Sequence, residues 1–257
     1  MQKIIIASTC FLSIVLSSCS KNMDESESLT LNSFTASKKN EIIQIEENVG
    51  SIHNAFLDEL EFHDDFYEFS NLQLVNIINA FFINLEIDSL STSEKNNLLN
   101  YIDNIEPTTI AAKATSLSTE GKINEAVANH YFILDEIVSQ NVSVSQMISN
   151  LNDFENMIIS DEELTEFHRH SLLGTSIIAR YSLNYWNEVY IDEQRGWHSI
   201  LLRDLPNEGR TPIILATPRW LRDIIGYIDG FFDCESCNLS GRDRVGTYRS
   251  GVASGDE

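Results

Sequence analysis

The chain has 257 residues, 39 acidic against 17 basic side chains, a formal charge of −22 at pH 7 and 42% hydrophobic residues. Acidity of that size argues against nucleic acid and anionic lipid headgroups as partners, and says nothing of fold. The apolar content is ample for a core, and the length allows one or two domains.

Lys3 forms a positive n-region, and Ile4 to Val15 follow as an apolar run. That run is too short for a spanning helix, which needs about 20 residues, and it suits a secretory h-region. It ends in Leu16-Ser17-Ser18-Cys19, followed at once by the polar stretch SKNMDESES. Leader, box and polar stretch together resemble the lipobox of bacterial lipoproteins. The resemblance implies cleavage between Ser18 and Cys19, diacylation of the Cys19 sulfur, and acylation of the new amino group. Acyl chains contribute about 0.8 kcal/mol per buried CH₂, so several chains would hold the protein firmly at a membrane. Ser20, in place of Asp, points to the outer membrane by the same resemblance. Asp24, Glu25 and Glu27 look like the acidic export tags of surface lipoproteins in Bacteroidota-type bacteria, and an acidic tether would have the same composition.

Residues 1–18 are therefore read as signal peptide and 19–39 as lipidated cysteine and flexible tether. Ile42, Ile45, Val49, Ile52, Phe56 and Leu60 recur at helical spacing and predict a helix over about 40–61. Ser70 caps a second, with Leu74, Ile77, Ile78, Phe81, Phe82 and Leu85 inward. Ser91 and Glu94 form a capping box for a third, which Pro107 ends. A fourth runs from about Glu120 to Ser139, and a fifth carries Met147, Leu151, Phe154 and Ile158. Ser160 with Glu163 reads as a capping box for a sixth that extends toward Tyr190. Thr217-Pro218 reads as the start of a seventh, and TPIILA, Thr211 to Ala216, alone resembles a strand.

The fold class expected is all-α: a helical bundle or irregular array of about six or seven helices with a disordered C-terminal tail. Residues 40–190 form an acidic helical domain, 191–233 a C-terminal helical segment, and 234–257 a Gly/Arg/Ser-rich tail. Composition divides the chain near the same place. Residues 19–168 hold six Lys, no Arg and 27 acids, whereas 169–257 hold ten Arg, no Lys and 12 acids.

Candidate sites are few. Cys234 and Cys237 (CESC) in an exported chain read first as a small-loop disulfide. A redox role would need a lowered thiol pKa, which Asp233 and Glu235 oppose, and CESC follows a predicted helix instead of opening one. Zinc would need two further ligands. His168 and His170 could offer them, but two residues apart on a helix they point about 200° apart. His63, Asp64 and Asp65, in ELEFHDDFYEF, are metal candidates set against the plainer reading of a solvated acidic helix end. Ser89, in Asp88-Ser89-Leu90, resembles the O-glycosylation acceptor of Bacteroidota exported proteins.

Tyr181, Tyr185, Trp186 and Tyr190 read as core aromatics, with an aromatic-lined peptide or carbohydrate groove as the alternative. Gly226 and Gly230, four apart, predict close helix–helix contact. The segment Ala179 to Trp186 with this Gly-spaced helix also resembles certain uncharacterised secreted Bacteroidota proteins, which implies no activity. No P-loop, Rossmann fingerprint, G-x-S-x-G or HExxH motif occurs in the sequence.

These readings lead to a lipid-anchored cell-envelope protein of the outer membrane, facing the surface if the acidic tag is read so. It binds a protein, peptide or glycan partner and needs no cofactor. The alternatives are an envelope hydrolase or metal-dependent enzyme, and a peptide-sequestering accessory or immunity-type protein.

Overall fold

Why the described chain is helical throughout is visible at its helix starts. In this computed structural model, residues 48–63, 69–85, 89–104, 108–203, 212–234 and 237–255 are described. Helix α1 covers residues 48–61. It is followed by α2 (Asn71–Asn84), α3 (Thr92–Ile102), α4 (Ile110–Thr119), α5 (Glu125–Val138) and α6 (Val144–Ser160). Then come α7 (Glu166–Ile191), α8 (Gly196–Arg203), α9 (Pro212–Asp233) and α10 (Leu239–Gly255). No strand occurs among the described residues. The fold class is all-α.

Each of α2 to α7 opens on a side-chain cap that accepts a free first-turn N–H, the caps being Ser70, Ser91, Thr109, Asn124, Ser143 and Thr165. The expected Ser91–Glu94 box is present. Ser91 N–H donates to Glu94 Oε2 at 2.8 Å, and Glu94 N–H donates to Ser91 Oγ at 3.2 Å. Gly121, at φ +72°, ends α4. Its N–H donates to Ser118 O at 3.1 Å and that of Lys122 to Leu117 O at 2.9 Å, the paired bonds of a Schellman stop.

Several expectations are corrected. Seven expected helices correspond to α1, α2, α3, α5, α6, α7 and α9, but the described residues contain ten, with α4, α8 and α10 unforeseen. The Ser160–Glu163 box does not form. Ser160 is the last residue of α6, and its hydroxyl donates to the Asn156 and Met157 carbonyls at 2.9 and 3.0 Å. Asp161 Oδ1 takes the Glu163 N–H at 2.9 Å, and Thr165 caps α7. The strand-like Pro212 to Ala216 is helical, because α9 starts with Pro212 in the first-turn position rather than Pro218.

The C-terminal tail is helical over Leu239–Gly255, where disorder was expected. Of the expected tail, Cys234, Cys237 and Asn238 lie outside helices, and 235, 236, 256 and 257 lie outside the described residues. The physical reason is packing that composition does not reveal. Tyr248, Val252 and Ala253 are buried, and small residues let α10 press directly onto α9.

The core gathers around α7, which is buried on nearly every side from His170 to Val189. A helix buried on nearly all sides belongs at the centre, and the polar residues it carries inward must find partners there. Helix α9 packs on both α7 and α10. At the second crossing a Cβ on Gly226 would stand 2.6 Å from the Arg249 carbonyl oxygen, and one on Gly230 would stand 2.5 Å from Gly246 Cα. The Gly226/Gly230 spacing does serve close helix contact.

Candidate functional site

Helices α1, α7 and α9 bring polar side chains into the core. His53 comes from α1, Ser182 and Trp186 are one turn apart on α7, and Arg219 and Asp223 are one turn apart on α9. His53, Ser182 and Asp223 are fully buried. Asp223 Oδ2 accepts from the Ser182 hydroxyl and, at 2.9 Å, from Trp186 Nε1. Its Oδ1 lies 3.3 Å from His53 Nε2. The other ring nitrogen, Nδ1, faces Asn54 Oδ1 at 3.0 Å, while Asn54 Nδ2 donates to the Tyr181 carbonyl at 3.1 Å. Because Asn54 spends its amide on Tyr181, its oxygen is the atom that faces the imidazole and accepts from His53 Nδ1. The Arg219 guanidinium lies over the Trp186 and Trp197 rings, 5.7 and 5.6 Å from their centroids.

A serine, a histidine and an aspartate thus meet, but in the wrong order for nucleophilic chemistry. Activation of a serine needs its hydroxyl on the histidine base, and here the hydroxyl donates to the carboxylate. With no exposed surface, the group joins three helices.

A second junction fixes the end of α1. Arg195, in the α7–α8 turn, donates to Glu61 Oε2 and Asp58 Oδ1, each at 2.6 Å, and to the Tyr185 hydroxyl at 2.7 Å. Burial and then the Asp58 charge push the Tyr185 phenol far above its ordinary pKa, against the opposing pull of Arg195. Trp197 adds an indole N–H to the Leu57 carbonyl at 3.1 Å. Tyr185 and Trp186 are buried in the core together with Trp197 and Trp220, whereas Tyr181 and Tyr190 are half-buried.

The third assembly lies where α3, α9 and α10 meet, around a pocket of about 60 Å³ lined by Glu94, Leu98, Asp233, Cys234, Tyr248 and Arg249 among others. Arg249 Nη1 donates to Asp233 Oδ2 at 2.5 Å, and its guanidinium lies 4.5 Å from the Tyr101 ring centroid. Arg244 donates to Glu94 Oε1 at 2.9 Å. Burial raises the Asp233 pKa, but the Arg249 hydrogen bond and charge outweigh it and hold the carboxyl below its usual range. Burial acts the same way on Glu94, and the Ser91 and Arg244 contacts reverse it. The α4 residue Lys113 pairs with Asp229 on α9, whose carboxyl burial nevertheless keeps above its ordinary value.

On the rim, Cys234 and Cys237 form a disulfide with Cα atoms 5.4 Å apart. His63 lies just beyond α1 with its ring edge-on to Phe69 at 5.4 Å, while Asp64 and Asp65 lie outside the described residues. So do Ser18 and Cys19. Ser89 is exposed. His168 is partly exposed, with Nδ1 3.0 Å from the Thr165 hydroxyl, whereas His170 is buried. Among the described residues no three His, Cys, Asp or Glu side chains are grouped to hold a metal ion.

Sequence reading missed His53, Ser182, Arg219 and Asp223. The available signal was a polar residue set inside an apolar face, such as Asp223 between Leu221 and Ile224. Compared with protein-family models, curated proteins and solved structures, the chain matches none.

Proposed function

We propose that the chain is a lipid-anchored protein of the bacterial cell envelope, attached at the outer membrane through Cys19, whose helical part binds a protein, peptide or glycan. The leader ending in LSSC supports the anchor. No helix among the described residues is long and apolar enough to cross a membrane. What carries binding over catalysis is burial: the group of Ser182, His53 and Asp223 is sealed in the core, with none of the three exposed. Apolar side chains instead stand in water at element ends, Phe62 at 84% exposure and Ile191 at 68%. Single exposed apolar residues are ordinary, so they mark no particular face. The folded part is an irregular helical array rather than a symmetric bundle.

The experiment concerns Cys19. Cys19→Ala should abolish acylation and move the protein from the detergent phase to the aqueous phase on detergent partitioning. Unchanged partitioning, with an intact leader by mass spectrometry, would refute the anchor.

A further inference from the structure

We propose that the Cys234–Cys237 disulfide is a redox-active site that exchanges with a dithiol, Cys234 being the sulfur attacked and Cys237 the thiolate released at the N-terminus of α10. Three observations carry this.

First, Cys237 directly precedes Asn238, the cap of α10. Asn238 Oδ1 accepts the Gly241 N–H at 2.9 Å, and its carbonyl accepts the Arg242 N–H at 3.0 Å. Gly241 lies in the first turn, and a Cβ placed there would stand 3.3 Å from Cys237 Sγ. The sulfur therefore rests against the first turn of a 17-residue helix. The positive end of the helix dipole stabilises a thiolate at that position.

Second, of the two nearby acids that would oppose a thiolate, Asp233 is neutralised, while Glu235 lies outside the described residues. Asp233 is held by Arg249 and lies 3.6 Å from Lys122 Nζ. Arg242 adds a cation whose Nε donates to the Cys237 carbonyl at 3.3 Å.

Third, the two sulfurs are placed differently. Cys234 lines the pocket between α3, α9 and α10, and Cys237 does not. Both cysteines are partly exposed.

The chemistry balances with a dithiol as reductant. One thiolate attacks Cys234 Sγ, the Cys234–Cys237 bond breaks, and its electron pair leaves on Cys237. The second thiol of the reductant, deprotonated, attacks its own sulfur in the mixed disulfide and releases the Cys234 thiolate. Two electrons have moved to the protein, the dithiol has become a disulfide, and its two protons pass to the cysteines or to water. The reverse sequence oxidises the pair.

The test uses the full chain, reduced with dithiothreitol without denaturant, then pulsed with iodoacetamide at pH 6.5 and read site by site by mass spectrometry. Cys237 should alkylate at least about tenfold faster than Cys234. Ser240→Glu adds a negative charge to the exposed first turn of α10, a placement that favours the helix itself. It should slow Cys237 alkylation about threefold or more, with Ser240→Gln restoring the wild-type rate. Equal rates at the two cysteines, or a faster Cys234, overturn the proposal. So does a disulfide that dithiothreitol reduces only in denaturant, or a Cys237 rate indifferent to Ser240→Glu.

Discussion

Asp243 is 5% exposed, and only one of its carboxylate oxygens has a hydrogen-bond partner, the Tyr227 hydroxyl at 2.7 Å. Burial raises its pKa, and the Tyr227 bond and the His170 charge pull it back only in part. The sign of the pH effect follows. A carboxyl whose folded pKa lies above the unfolded value, about 3.9 for Asp, favours the folded state most below that value. Its contribution falls as pH rises through the folded pKa. Asp243→Asn keeps an oxygen for Tyr227 and removes the buried charge. Its stability relative to wild type, from urea unfolding, should be higher at pH 7 than at pH 4. Equal differences at the two pH values would show that Asp243 is not ionised at a cost. Asp233 and Glu94 behave oppositely, since their folded pKa values are lowered and the stability they contribute is lost on acidification.

Between elements, two glycines carry different constraints. Gly230 has no room for a side chain, because a Cβ would meet the Val245 carbonyl oxygen and Gly246 on α10. Those atoms are backbone and cannot rotate away, so Gly230→Ala must push two helices apart. Overpacking of this kind costs about 1–3 kcal/mol, and this site belongs at the upper end. At Gly121 nothing lies within 4 Å of a new Cβ, but φ is +72°. Gly121→Ala should cost about 1–2 kcal/mol, the left-handed penalty alone. Denaturant midpoints of the two variants measure this order, and a Gly121→Ala variant less stable than Gly230→Ala would contradict the packing at the α9–α10 crossing. The crossing was legible in part from Gly226 and Gly230. Its other half, Gly246 and the backbone of Val245, Arg249 and Ser250, lies in a segment of low hydrophobic periodicity, so no sequence pattern marked α10 as a helix.

For the whole molecule, α10 is the element whose removal tests the architecture. Its Tyr248 ring meets Phe82 of α2 at 4.0 Å between centroids, and Gly251 packs against Phe56 of α1. Arg244 reaches Glu94 on α3. One C-terminal helix therefore closes the described unit against its first three helices and α9. Ending the chain at residue 238 uncovers Tyr227, Phe56 and Phe82, each worth about 1.5–3 kcal/mol or more of burial. A loss of that size is comparable to the stability of an ordinary domain, so cooperative thermal unfolding should disappear or shift down by roughly 10 °C or more. An unchanged transition would make α10 an appendage.

Helical class, the starts of α2 and α3 and the inward faces of α1 to α3 and α5 to α7 were determined by local chemistry: caps and the spacing of apolar residues. These depend on residues within one or two turns, so a single chain displays them. The reading of Cys19 rests wholly on the leader. The polar junction of His53, Ser182 and Asp223 joins residues as far apart as 53 and 223, and no local pattern connects them. The same holds for α10 and for the surroundings of Cys237. Whether a Gly- and Arg-rich stretch stays loose or folds depends on whether another helix offers small residues for it to press against, and only the tertiary structure supplies Gly226 and Gly230 at that crossing.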